Sequence, residues 1–324
     1  MRTLVAIAIV SFFGLNIELC SAQIYWAHQE EAGKPLGPGS IQLSSLDGAS
    51  SQVVIGGLNH PTDIVIDQQG GVIYWTESIG DKIRRANLDG SGAQTLVNIN
   101  DPERLLISFA AGKMYWSGDN LNLFGADLNG ANVEVLSDPG PPAGEILAIA
   151  KGSEADSIYY VESNVVFIPE ENFTGYRGTL SRFDAGDFST SQTMYELDGR
   201  AIAMAIDEVN SKLYWSDDSA TIWRANLSDG SDPVIVSTTQ ASRDMFIDYD
   251  RDRLWWTWEA TIVGQPPAGI SSIPLGGGPI VSFSVPFRPN GIWVVPEPTS
   301  SLLYLLGICV AVTLRQPQRD RPSQ

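Results

Sequence analysis

The chain has 324 residues, 43% of them hydrophobic, with 31 glycines and 19 prolines. That is enough for one large β domain with a substantial core and many turns. The formal net charge of −18 at pH 7 repels phosphate backbones and anionic lipid, which argues against a nucleic-acid partner. Both cysteines, Cys20 and Cys309, lie near the ends, so the domain between them has no disulfide and no thiolate zinc site.

The first element is a targeting segment. Residues 1–22 have a basic start at Arg2, an apolar stretch from Leu4 to Leu15, and small residues at Cys20 and Ala22. This is the pattern of a secretory signal peptide cleaved after Ala22.

A repeat follows. "VIYWTESIGDKIRRANLDGSG" (72–92) reads as an aromatic strand, a polar bend, a returning strand from Ile83 to Leu88, and a tight turn at Asp89-Gly90. Aromatic pairs recur at Tyr25-Trp26, Tyr74-Trp75, Tyr115-Trp116, Tyr159-Tyr160, Tyr214-Trp215 and Trp255-Trp256. Each is followed by a turn signal, and both glycine and aspartate at these turns are expected to supply positive φ angles. Apolar strands precede five of the pairs: "DIVID" (63–67), "LLISF" (105–109), "ILAIA" (146–150), "AMAID" (203–207) and "MFIDY" (245–249). A period of about 40–45 residues with four strands per unit predicts a β-propeller of six blades. The sixth such strand, "GIWVV" (291–295), comes after the last aromatic pair. The chain therefore starts at the second strand of blade one and returns to supply that blade's first strand. The fold class expected is an all-β, six-bladed propeller of four-stranded antiparallel blades over 23–295.

The units "IYWTES…IRRANLDGSGAQTLV" and "LYWSDDSATIWRANLSDGSDPVIV" resemble low-density-lipoprotein-receptor class B repeats, the YWTD propellers. The resemblance covers roughly residues 24–295 and implies the same six-bladed ring. The fourth motif letter is Asp only at Asp217; His28, Glu77, Gly118, Glu162 and Trp258 stand there in the other blades. In the family that Asp helps tie neighbouring blades, so the departure leaves those ties in question.

The last element, 296–324, holds Pro296, Glu297 and Pro298, an apolar run, and a basic end beginning at Arg315. It resembles the PEP-CTERM sorting signal of Gram-negative bacteria. The resemblance implies recognition by an exosortase, a membrane protease, with transient insertion of the tail. It further implies removal of the tail and delivery to the cell surface or matrix. Ser301 to Leu314 as a helix would span roughly 21 Å, short of a hydrocarbon core of about 30 Å. A plain tail anchor is the alternative.

Two candidate binding regions emerge. The connection after the aromatic pair is long in three blades: Trp26 to Ile41, Tyr160 to Leu180 and Trp256 to Ile270. All three are the same kind of connection, so they project from one face. They carry Trp258, Tyr176 and Phe173, types that anchor a partner or stack on a sugar. The second region is the mouth of the central channel. Aligning the first strands places Asp63, Arg104 and Asp244 at equivalent positions, with Arg200, Arg243 and Arg288 nearby, which suggests salt bridges lining the channel.

The two histidines, His28 and His60, read as surface residues, and no catalytic constellation is visible. The leading functional expectation is an exported, noncatalytic surface or matrix protein, binding a protein or polysaccharide through the long-loop face without a cofactor. The alternative is a metal-dependent hydrolase or lactonase at the channel mouth. Calcium would then be the ion, with Asp63 and Asp244 as first ligands, since carboxylate oxygens suit it.

Overall fold

The aromatic pairs decide how the chain packs. In a strand, adjacent side chains point to opposite faces. Two consecutive large rings therefore make both faces of a sheet apolar, and such a sheet must be covered on both sides. A computed structural model describes residues 22–29, 38–118, 122–137, 144–152, 156–168, 173–238, 241–259, 268–285 and 288–295. The expected signal segment up to residue 21 lies outside them. So does the tail with Pro296, Glu297, Pro298 and Arg315.

The described residues form six four-stranded antiparallel sheets. Blade one holds β1 (Gln23–Gln29), β2 (Gly39–Ser45) and β3 (Ser51–Leu58). Blade two runs through β4 (Pro61–Asp67), β5 (Val72–Glu77), β6 (Lys82–Asn87) and β7 (Gln94–Asn98). Blade three has β8 (Leu105–Ser108), β9 (Lys113–Gly118), β10 (Asn122–Asp127) and β11 (Glu134–Ser137). Blade four has β12 (Gly144–Lys151), β13 (Ser157–Ile168), β14 (Phe173–Asp184) and β15 (Asp187–Asp198). Blade five has β16 (Ala203–Asp207), β17 (Lys212–Ser216), β18 (Ile222–Asn226) and β19 (Val234–Ser237). Blade six has β20 (Ala241–Asp248), β21 (Arg253–Glu259), β22 (Ala268–Pro274) and β23 (Val281–Ser284). The final strand, β24 (Arg288–Val295), pairs antiparallel with β1 and completes blade one. This is the ring closure that the position of "GIWVV" predicts. Among the described residues no helix is long and apolar enough to cross a membrane.

Each aromatic pair divides between two neighbours, and all six pairs do so in the same sense. Tyr74 packs toward blade three and Trp75 toward blade one. Tyr115 meets blade four and Trp116 blade two. Tyr159 and Tyr160 face blades five and three. Tyr214 and Trp215 face blades six and four. Trp255 and Trp256 face blades one and five. Tyr25 and Trp26 face blades two and six. The core is thus six inter-blade layers rather than one centre. Burying a side chain of this class contributes about 1.5–3 kcal/mol.

The Asp-Gly turns do more than reverse the chain. Gly48, Gly90, Gly130 and Gly230 have φ between 70° and 85°, while the preceding Asp or Asn does not adopt positive φ. The expectation of two left-handed residues per turn is corrected here. The acidic or amide side chain instead accepts an N–H two residues on, as Asp89 Oδ1 does from Ser91 at 2.9 Å. The glycine also permits contact with the preceding blade. A Cβ on Gly90 would lie 2.6 Å from the Val54 carbonyl oxygen, and one on Gly130 would lie 2.2 Å from that of Leu96.

Candidate functional site

Antiparallel pairing puts the start of each first strand beside the end of the second. Pro61 pairs with Glu77, Ala241 with Glu259, and Arg288 with Gln29. The channel-mouth residues and the long connections after the second strands therefore share one face. The two candidate regions are one.

The blade-four expansion is not a loop. β13 and β14 continue as paired strands to Ile168 and Phe173, with Val165 opposite Tyr176. Tyr176 is half-buried on this extended hairpin, and the Arg200 guanidinium lies 5.3 Å from its ring centre. Phe173 opens β14, and its side chain is outside the described residues. Trp258 is corrected: it belongs to β21, is 4% exposed, and packs in the layer between blades five and six. Gly269 makes room for it, since a Cβ there would lie 2.3 Å from the indole. A buried ring of this kind holds blades together and offers no surface to a partner.

At the channel mouth, Asp63 and Asp244 are buried or nearly so and serve as clasps. The pairing register slips beside each, and such bulges re-aim a side chain. Asp63 Oδ1 accepts the N–H of Ile64 at 2.7 Å, and Oδ2 accepts that of Leu105 in blade three at 2.8 Å. Asp244 repeats the arrangement with Met245 at 2.8 Å and Ile292 of β24 at 2.8 Å. Each carboxylate thus stitches its own blade to the next. Burial raises Asp63 well above the ordinary carboxylate range, and the nearby Asp244 charge raises it further, against the pull of Arg104. Burial lifts Asp244 to about 6, opposed by Arg104 and the two N–H donors.

The other arginines do not pair with these aspartates as the sequence suggested. Arg200 is held by both oxygens of Glu145, Nη2 to Oε2 at 2.8 Å. Arg243 and Arg288 share Glu259. Glu145 and Glu259 were not singled out in the sequence, because neither stands at a repeat-equivalent position beside its arginine. His28 is also corrected. It is buried, its Nδ1 lies 2.9 Å from Ser40 Oγ, and burial lowers it to about 4. His60 is half-buried with Nδ1 2.6 Å from Ser78 Oγ. Ser78 itself is buried and bonded back to the His60 backbone, so the pair braces a turn and presents no open nucleophile.

The third motif letter carries ties that the sequence reading passed over. Thr76 Oγ1 accepts the N–H of Asp63 at 2.9 Å and donates to the Glu103 carbonyl of the next linker at 3.0 Å. Thr257 does the same with Asp244 and Asn290. Ser216 donates to the Ser242 carbonyl. At the fourth letter, Glu77 accepts from Trp75 Nε1, Arg84 and the backbone of Asn59 in the preceding linker. The glutamate therefore reaches that linker, while Asp217 caps its own turn and takes the Trp223 indole N–H. The recurrence of Thr or Ser after four of the six aromatic pairs, at Thr76, Ser117, Ser216 and Thr257, was the signal available in the sequence.

Among the described residues no group of three or more His, Cys, Asp or Glu is placed to hold a metal. All four oxygens of Asp63 and Asp244 already accept a backbone N–H. What the face offers is a ring of backbone clasps, exposed guanidiniums and a projecting hairpin. This is the construction of a six-bladed β-propeller.

No sequence-family profile matches the chain. It is similar to "Low-density lipoprotein receptor-related protein 1" of Pyricularia oryzae, 28% identical over 197 residues, covering 53% of this chain and 62% of that protein. It is also similar to human "Low-density lipoprotein receptor-related protein 5-like protein", 30% identical over 152 residues, covering 45% of this chain and 54% of that one. The matches thus span little more than half the length of these relatives. The fold matches the "Nidogen/Laminin Complex" crystal structure with a TM-score of 0.66 at 14% identity, covering 86% of this chain and 99% of that chain. It also matches TolB from Acinetobacter baumannii with a TM-score of 0.65 at 10% identity, covering 85% and 67% respectively.

Proposed function

We propose that this chain is an exported, noncatalytic binding propeller that holds a protein or polysaccharide on the face bearing the channel mouth and the long connections. The observation that carries the reading is that the blade-four hairpin, the strand ends from which the long connections of blades one and six leave, and the channel-mouth arginines lie at one face. The buried polar groups of that face are spent on holding blades together. The sequence relatives are named for a lipoprotein receptor, and the nidogen structure is titled as a complex with laminin, which is consistent with a partner-binding role. The signal-like start and the PEP-CTERM-like end support export, delivery to the surface or matrix of a Gram-negative cell, and handling by an exosortase.

The test is capture of surface or matrix components by the full chain, compared with a variant lacking the hairpin tip and the 260–267 connection. Loss of capture in the trimmed variant is expected, and equal capture by both would move the site off this face. For the sorting reading, deletion of 300–324 should change where the protein accumulates; unchanged placement would refute it. A rise in melting temperature with calcium, abolished by replacing Asp63 and Asp244 with Ala together, would transfer the chain to the hydrolase reading.

A further inference from the structure

On an acidic chain, the channel mouth gathers four arginines, and one of them, Arg200, is tied up within the chain. Arg200 is clamped by Glu145 and covered by Tyr176. Arg104 is half-buried and acts on the Asp63 and Asp244 carboxylates.

Arg243 and Arg288 are different. They come from adjacent blades, six and one, and their side chains are 49% and 38% exposed. Both reach the single carboxylate of Glu259. Arg243 Nη2 lies 3.3 Å from Oε2, and Arg288 Nη2 lies 2.5 Å from Oε1. Two guanidiniums with one carboxylate leave a positive charge in excess, and each guanidinium carries five N–H donors in a planar fork. Burial holds His60 below its ordinary range, opposed by Asp101, with the field of both arginines adding to the lowering. Glu103 and Asp101 are further carboxylates near this field, outside the three-residue cluster itself.

We infer that the Arg243–Glu259–Arg288 cluster docks a carboxylate side chain from an acidic peptide segment of the partner. This rests on the binding reading above. Forked guanidiniums match carboxylates in geometry as well as charge. A peptide is favoured over an acidic polysaccharide because the two guanidiniums converge on one point, Glu259, and Arg200 beyond them is clamped by Glu145, so the face offers a single carboxylate clasp and no cationic track for a charged chain to follow.

The experiment uses the full chain and three labelled probes: an Asp-Gly repeat peptide, its Asn-Gly counterpart, and oligogalacturonate. Each is titrated at low and physiological salt. The variants are R243Q with R288Q, and R251Q as a control, since Arg251 pairs with Asp248 at the opposite end of its blade. The expected result is at least tenfold tighter binding of the Asp peptide than of the Asn peptide. The double variant should lose at least tenfold and R251Q should change little, with melting temperatures of all variants close to the parent. Equal binding of the two peptides, or an unchanged double variant, would overturn the inference. Arginine-dependent binding of oligogalacturonate without the peptide would assign the site to a polysaccharide and overturn it as stated. If the hairpin-trimmed chain loses its partner while R243Q with R288Q keeps it, this inference fails and the binding reading stands. If no form captures a partner, the binding reading fails.

Discussion

Asp244 shows how one residue couples ring closure to protonation. Its carboxylate takes N–H donors from Met245 and from Ile292 of the closing strand, and burial lifts it to about 6. A raised folded-state pKa means that the folded state holds the proton more tightly than the unfolded chain. The associated stabilisation is complete below the ordinary carboxylate value of about 3.9 and is lost as pH rises through about 6. Asp63, also raised well above the ordinary range by burial, acts in the same direction. Asn cannot ionise, so Asp244→Asn should remove part of this dependence. The expected outcome is a difference in unfolding free energy between parent and variant that changes between pH 4 and pH 7, with the parent losing relative stability as pH rises. Urea titrations at four pH values would measure it, and parallel curves would refute the assignment.

At the scale of the strand, the motif divides its labour. The aromatic pair supplies one ring to each neighbouring blade, and in blades two, five and six the following Thr or Ser donates to a backbone carbonyl leading into or within the next blade's first strand. Thr76 is fully buried, accepting from Asp63 N and donating to Glu103 O. Thr76→Val keeps the shape and removes both bonds, together with the contact to Thr62 Oγ1 at 2.9 Å, leaving a buried N–H and a carbonyl unpaired. A loss of about 2–3 kcal/mol is expected from that desolvation, read as a lower urea midpoint at unchanged slope. Sequence reasoning saw the pairs and the strand order because period-two alternation and period-40 repetition are local. It missed the partners of Thr76 because the next linker lies a blade away in sequence. It also placed Trp258 in a loop, since nothing local shows that β21 runs on to Glu259 and that Gly269 opens a slot for the ring.

For the whole ring, closure rests on β24. Thr257 donates to the Asn290 carbonyl, Asn290 donates to the Pro61 carbonyl, and Asp244 receives Ile292 N–H. Blades six and two thus grip the closing strand from both sides. Gly291, on the closing strand of blade one, faces blade two, and a Cβ there would lie 2.6 Å from Asp63 Cα. Gly291→Ala must push the two blades apart at this point. Overpacking of this kind costs about 1–3 kcal/mol, and because β24 joins the ends of the chain the cost should appear in the whole cooperative transition. A single, shifted denaturation curve is the expected result; an unchanged midpoint would show that the ring does not depend on this contact.

By itself the sequence determined the number of blades, their strand order and the late return that closes the ring. These follow from alternation, turn chemistry and repetition, all carried by neighbouring residues. It also singled out the long connections and the channel arginines, as two separate regions that the strand pairing then brings to one face. Only the tertiary structure decided which groups pair. Asp63 and Asp244 became clasps because the next blade brings unpaired N–H groups to them. Glu259 collects two arginines because blades six and one converge there. Contacts between blades depend on how a closed ring juxtaposes distant segments, and no spacing along the chain encodes that distance.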